Sequence, residues 1–140
     1  MREILFRAKA INRNPDREYR TDYKNGDWVY GLISKLYDEE SHKRYNFLFA
    51  EMTNESGVSG IDVDYKTIEQ YTGLSDKNGN KIFEGDIVEY EGKRYSINYL
   101  PHYARFAAVK PNTVFSVFAY QRGEVIGNIH DNPELIGGDE

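Results

Sequence analysis

Residues Tyr71 to Val88 read YTGLSDKNGNKIFEGDIV, and no other stretch of the 140-residue chain packs so many turn signals against so many apolar residues. Asp76-Lys77-Asn78-Gly79 is a turn with a mechanism. An Asp carboxylate bonds forward to backbone amides, Asn tolerates the left-handed region, and Gly takes positive φ freely. Leu74 and Ile82 flank the turn and are placed to pack together beneath it. Gly85-Asp86 then precedes an apolar run, where the carboxylate can accept amides from the loop it closes. The stretch reads as a tight reversal followed by a sharp entry into a core strand.

The same residues could be read as an oxygen ligand set, Asp76, Asn78, Glu84 and Asp86. A calcium loop of the EF-hand type needs Gly at its sixth position and a bidentate Glu at its twelfth. Counted from Asp76, those positions hold Lys81 and Ile87. No metal or cofactor is therefore expected, and each acid has a turn or cap role instead.

The rest of the chain repeats the theme of short extended runs between turns. Ile4, Phe6 and Ala8 alternate with Glu3, Leu5 and Arg7, which predicts a strand with the first set buried. Asn25-Gly26 is a turn signal. After it, Trp28, Tyr30, Leu32 and Ser34 face one way while Val29, Gly31, Ile33 and Lys35 face the other. Gly31 marks a bulge or a close backbone approach. Asp38 to Arg44 reads as a charged loop, Tyr45 to Met52 as a strand pairing back on the Trp28 strand, and Thr53 to Gly60 as a loop without regular pattern. Ile61, Val63 and Tyr65 alternate with Asp62, Asp64 and Lys66. Beyond Lys66 the period weakens, with Ile68 and Tyr71 as buried candidates.

In the second half, runs at Ile87 to Tyr90 and Arg94 to Leu100 flank the hairpin signal Glu91-Gly92. Two more runs flank Pro111-Asn112, and Glu124 to Ile129 gives a last strand before the turn at Asp131-Asn132-Pro133. Turn signals every 8 to 12 residues or so predict a sandwich or small barrel. Composition agrees, because 12 Tyr and 7 Phe stand beside a single Trp, and tyrosine-rich runs favour strands. The length suits one domain over 1–140, divisible into an N-terminal β part at 1–66 and a barrel part at 67–140.

Formal net charge is −5, which opposes nucleic acid in bulk. Between Met1 and Lys24 a small basic excess reads as a solvated segment. Cysteine is absent, so disulfides and zinc–thiolate sites are not expected, and a reducing, cytoplasmic setting fits. The apolar run Ile4 to Phe6 is far short of a signal sequence, and no window approaches the roughly 20 apolar residues of a membrane span.

TIEQYTGLSDKNGNKIFEGDIVEY, with the opening REILFRAKA and the closing GEVIGNIHDNPELI, resembles the YopX family of phage and prophage proteins. The matching positions are Arg2 to Ala8, Trp28 to Gly31, Ile68 to Tyr90 and Val125 to Leu135. Lys9 stands where that family commonly has Trp, and His130 where an aromatic or small residue is usual. The resemblance implies a phage-encoded, mainly β protein with an SH3-like barrel or roll of short antiparallel strands, an N-terminal β extension and long loops. It implies no established activity.

Catalytic constellations are missing. Asp62 and Asp64 share a strand face, as do Glu84 and Asp86, but solvent-facing acids give the same pattern. His42, His102 and His130 have no metal spacing, no G-x-S-x-G occurs, and there is no phosphate-binding glycine loop. A non-enzymatic interaction or assembly module is the expected function, acting as a homo-oligomer or on a phage or host protein. The second reading is a small barrel that binds single-stranded nucleic acid through Lys93, Arg94, Tyr95, Tyr99, Tyr103 and Arg105, with His102 and Phe106 beside them. Those residues are the candidate interaction surface on either reading.

Overall fold

A computed structural model describes residues 3–11, 23–36, 49–110, 113–115 and 121–137. The charged loop at Asp38 to Arg44, the first half of the Tyr45 to Met52 run, the Pro111-Asn112 turn and most of the Met1 to Lys24 basic segment lie outside them. Two compact units divide the chain: Ile4–Gln70, and Tyr71–Glu140 together with Met1–Glu3.

The N-terminal unit is an antiparallel sheet. It holds β1 (Phe6–Lys9), β2 (Trp28–Leu36), β3 (Phe49–Asn54), β4 (Ile61–Asp64) and the start of β5 (Glu69–Ser75). The spatial order runs β4, β3, β2, β1, β5. Ala8, Ala10, Val29, Ala50, Met52, Ile61 and Val63 form its core, with Phe6, Tyr23, Ile33 and Ile68 packed against them. An isolated bridge between Ala10 and Val63 brings the end of β1 back against β4, and the Ile11 N–H donates to the Asp62 carbonyl at 2.9 Å.

On β2 the predicted alternation is observed, with Val29 and Gly31 buried and Tyr30 and Leu32 exposed. Gly31 is a close backbone approach. A Cβ there would meet the Thr53 carbonyl oxygen at 2.0 Å. The strand's bulge lies further on, between Ile33 and Lys35.

Three expectations are corrected in this unit. In β1 the two faces are not one buried and one wet. Ile4 is exposed while Leu5 and Arg7 are buried, because Arg7 finds a buried partner on β5. Thr53 to Gly60 is not patternless. Asn54 accepts the Ser56 and Val58 amides at 3.0 and 2.9 Å and so builds the β3–β4 turn from its own side chain. Tyr65 is exposed because a 3₁₀ turn, Tyr65–Thr67, ends the alternation. Asp64 caps it by accepting the Lys66 amide at 3.0 Å.

The C-terminal unit continues β5 into a hairpin with β6 (Lys81–Phe83). It then forms a five-stranded antiparallel sheet from β7 (Asp86–Tyr90), β8 (Lys93–Leu100), β9 (Arg105–Lys110), β10 (Thr113–Phe115) and β11 (Glu124–Asn128). The order is β10, β9, β8, β7, β11. Glu91 and Gly92, at φ 52° and 76°, make the tight β7–β8 turn. Ile82, Val88, Tyr95, Ile97 and Ala108 form the core, joined by Leu74, Tyr90, Phe106 and Val125. Leu74 and Ile82 thus share one core, as their places beside the turn predict. A single helical turn, Glu134–Gly137, ends the described chain. The architecture is mainly β, in two antiparallel sheets, and among the described residues neither sheet closes into a barrel.

Candidate functional site

The two aspartates of the signature stretch are spent on structure. Asp76 is buried and accepts the amides of Asn78 and Asn80, each at 2.9 Å, through one carboxylate oxygen. Its other oxygen accepts the Val125 amide at 2.9 Å and the Asn80 side-chain amide at 3.4 Å. Burial pushes this carboxyl up, but the Val125, Asn80 and Asn78 amides and the Asn80 side chain together hold it below its ordinary value. The Gly79 N–H closes the turn on the Asp76 carbonyl at 3.0 Å. Asp86 is also buried and accepts the Phe83 amide at 2.8 Å, across Gly85 at φ 86°. Asn78 itself is not left-handed, since the positive φ falls on Gly79.

A ligand would have to displace these amide bonds to reach the carboxylates. No group of three or more His, Asp or Glu side chains suited to a metal ion occurs among the described residues. Asp64 of the second acid pair is similarly engaged, as the cap of a 3₁₀ turn.

The candidate surface at Lys93 to Phe106 is divided by its own alternation. Tyr95 is a core residue, 2% exposed, whose hydroxyl is pushed up by burial and by the nearby Glu91 and Tyr90. It is therefore corrected from surface to core. Arg94 is exposed but reaches Glu89 at 3.5 Å and the Leu135 carbonyl at 3.3 Å. Lys93 is exposed beside it at the start of β8.

The remaining residues gather at the other end of the β8–β9 hairpin. Tyr99 pairs with Phe106 in the strand register, and their rings meet edge to face at 5.2 Å. Beyond them a 3₁₀ turn, Pro101–Tyr103, leads to Ala104 in the left-handed region at φ 50°. Tyr103 is 68% exposed, with the Arg105 guanidinium 5.6 Å over its ring. His102 is exposed on the same turn. One hairpin tip thus presents two tyrosines and a cation whose orientations are set by neighbours.

Two features of the N-terminal unit escaped the sequence reading. The first is a buried ion pair in which the Arg7 Nε and Nη2 both lie 2.9 Å from Glu69 Oε1. Arg7 also lies 4.7 Å, and Lys9 5.3 Å, over the Trp28 ring. The second is apolar surface on β2, where Tyr30 and Leu32 are 37% and 52% exposed on one face and Leu36, past the bulge, is 59% exposed. The alternation of β2 pointed to the outward side of Tyr30 and Leu32. It carried no sign of how far they would stand exposed.

A family model described as YopX protein matches residues 18–137. No curated protein matches the chain. Among solved structures, the crystal structure of protein EF1440 from Enterococcus faecalis is similar, with 25% sequence identity and a TM-score of 0.54. The likeness covers 97% of this chain and 99% of that one. No helix among the described residues is long and apolar enough to cross a membrane.

Proposed function

The chain belongs to the YopX protein family, and from that premise we propose that it is a phage or prophage accessory protein that acts by binding another protein rather than by catalysis. The observation that carries this reading is the apolar surface of β2. Tyr30 and Leu32 stand exposed on the face of β2 turned away from its core, and Leu36 stands exposed past the bulge between Ile33 and Lys35. Large aliphatic residues left open along one strand mark a protein contact more often than a catalytic one. The engagement of Asp64, Asp76 and Asp86 in caps and turns supports it, since the acids that could have done chemistry already have partners. The partner is a second copy or a phage or host protein, met in the bacterial cytoplasm.

Light scattering and pull-down at micromolar protein test this. The expected result is a complex with itself or with a phage or host protein that Leu32→Lys abolishes without lowering the melting temperature. A chain that stays monomeric and retains no protein partner overturns it.

A further inference from the structure

From Gly92 to Gly123 the chain contains Lys93, Arg94, Arg105, Lys110 and Arg122 and not one Asp or Glu. The whole chain is at −5, so its acids are concentrated elsewhere. The fold gives this run a place. It forms β8, β9 and β10, which are consecutive neighbours in one sheet, whereas β7 and β11 carry Asp86, Glu89 and Glu124. The sheet is therefore split by charge, with its β10 side free of acids.

At the tip of that half lie the most exposed rings among the described residues of the unit. Tyr99 is braced by Phe106 and Tyr103 is overlaid by Arg105. An acidic peptide would need only the cations. It would leave two outward tyrosine faces without a role. Stacked bases use both, because every base has a π-face and its phosphates supply the anion.

We infer that the tip of the acid-free half of the sheet binds single-stranded nucleic acid, with bases stacked on Tyr99 and Tyr103 and phosphate met by Arg105. Arg94, already held by Glu89 and the Leu135 carbonyl, contributes little. Arg105, the cation at the tip, sets the salt response, a slope of log K against log salt of about −0.7. This site lies on a different unit from the apolar surface of β2, and the two can fail separately.

The test is fluorescence anisotropy with a labelled short oligothymidylate, first at low and then at moderate salt. Binding at low ionic strength is expected, falling with salt at the slope above. Tyr103→Ala should weaken it roughly tenfold, and Arg105→Gln should make the slope shallower by about 0.7. Leu32→Lys should bind the oligonucleotide as the parent does, which separates this site from the protein contact. Polyglutamate of similar length is the competitor. No binding at low salt overturns the inference, as does unchanged binding by both tip variants. Equal competition by polyglutamate overturns it too, and assigns the basic strands to an acidic protein instead.

Discussion

Each unit buries charge, and each does so differently. In the N-terminal unit Arg7 and Glu69 come from strands 62 residues apart and meet at 2.9 Å with almost no exposure. In the C-terminal unit Asp76 and Asp86 sit equally deep, yet their partners include amides two to four residues along the same loop. The Arg7–Glu69 ion pair forms only with both strands in register. The loop carboxylate takes most of its amides as soon as its turn closes, and Val125 adds one more from β11. Removing one member of a buried pair strands the other without water, whereas removing a loop carboxylate orphans amides that can partly turn to solvent. The two units should therefore respond to substitution and to pH in distinguishable ways.

The largest effect is expected at the pair. Glu69→Ala leaves the Arg7 guanidinium buried beside Trp28 and should cost about 3 to 5 kcal/mol. Removing both charges together, as Arg7→Met with Glu69→Leu, should recover most of that loss, since an apolar pair of similar volume avoids desolvation altogether. Urea unfolding of the two variants measures the difference. A single variant within about 1 kcal/mol of the parent would mean that Arg7 is compensated elsewhere, and the contrast between the units would disappear.

Next comes the loop carboxylate. Asp76→Asn keeps the side chain's shape but removes the charge that three amides and one side chain address, and should cost about 2 kcal/mol near neutral pH. The sign of the pH dependence follows from the shift. The folded carboxyl titrates below its ordinary 3.8. Its contribution is therefore complete above that value and is lost as pH falls through the lower folded value. The gap between parent and Asp76→Asn should be constant from pH 7 to about pH 5 and should narrow below pH 4. A gap that stays constant down to about pH 2 would show that the charge contributes nothing to the clamp.

The same contrast explains what could be read from the chain. Asp76, Gly79, Gly85 and Asp86 were legible because a turn acts over a few residues, and residue types suffice to identify it. The clamp from Asp76 to Val125 spans 49 residues and left no local trace. Arg7 misled the alternation for the same reason. A buried cation looks like a wet one until its partner is known. Tyr95 could have been placed inward, since it alternates in step with Ile97, but tyrosine's dual character favoured a surface reading. The apolar surface on β2 was visible only as an alternation, because exposure is a property of what packs nearby.

The smallest effect compares two glycines. Gly26 in the N-terminal unit and Gly79 in the C-terminal unit have φ of 88° and 82°, and a Cβ at either would meet nothing within 4 Å. Backbone strain alone predicts the same cost for alanine at both, about 1 kcal/mol, or a few degrees in melting temperature. Their surroundings differ. Gly26 closes a turn tied back to the strand end by its own amide, which donates to the Ala10 carbonyl at 2.9 Å. Gly79 sits between Asn78 and Asn80, whose amides hold Asp76, and Asp76 in turn holds β11 through Val125. If strain at Gly79 shifts those amides, Gly79→Ala should cost more than Gly26→Ala, and the excess should vanish in an Asp76→Asn background. Equal costs in both backgrounds would limit the turn to local strain and make the reach to Val125 independent of the turn's geometry.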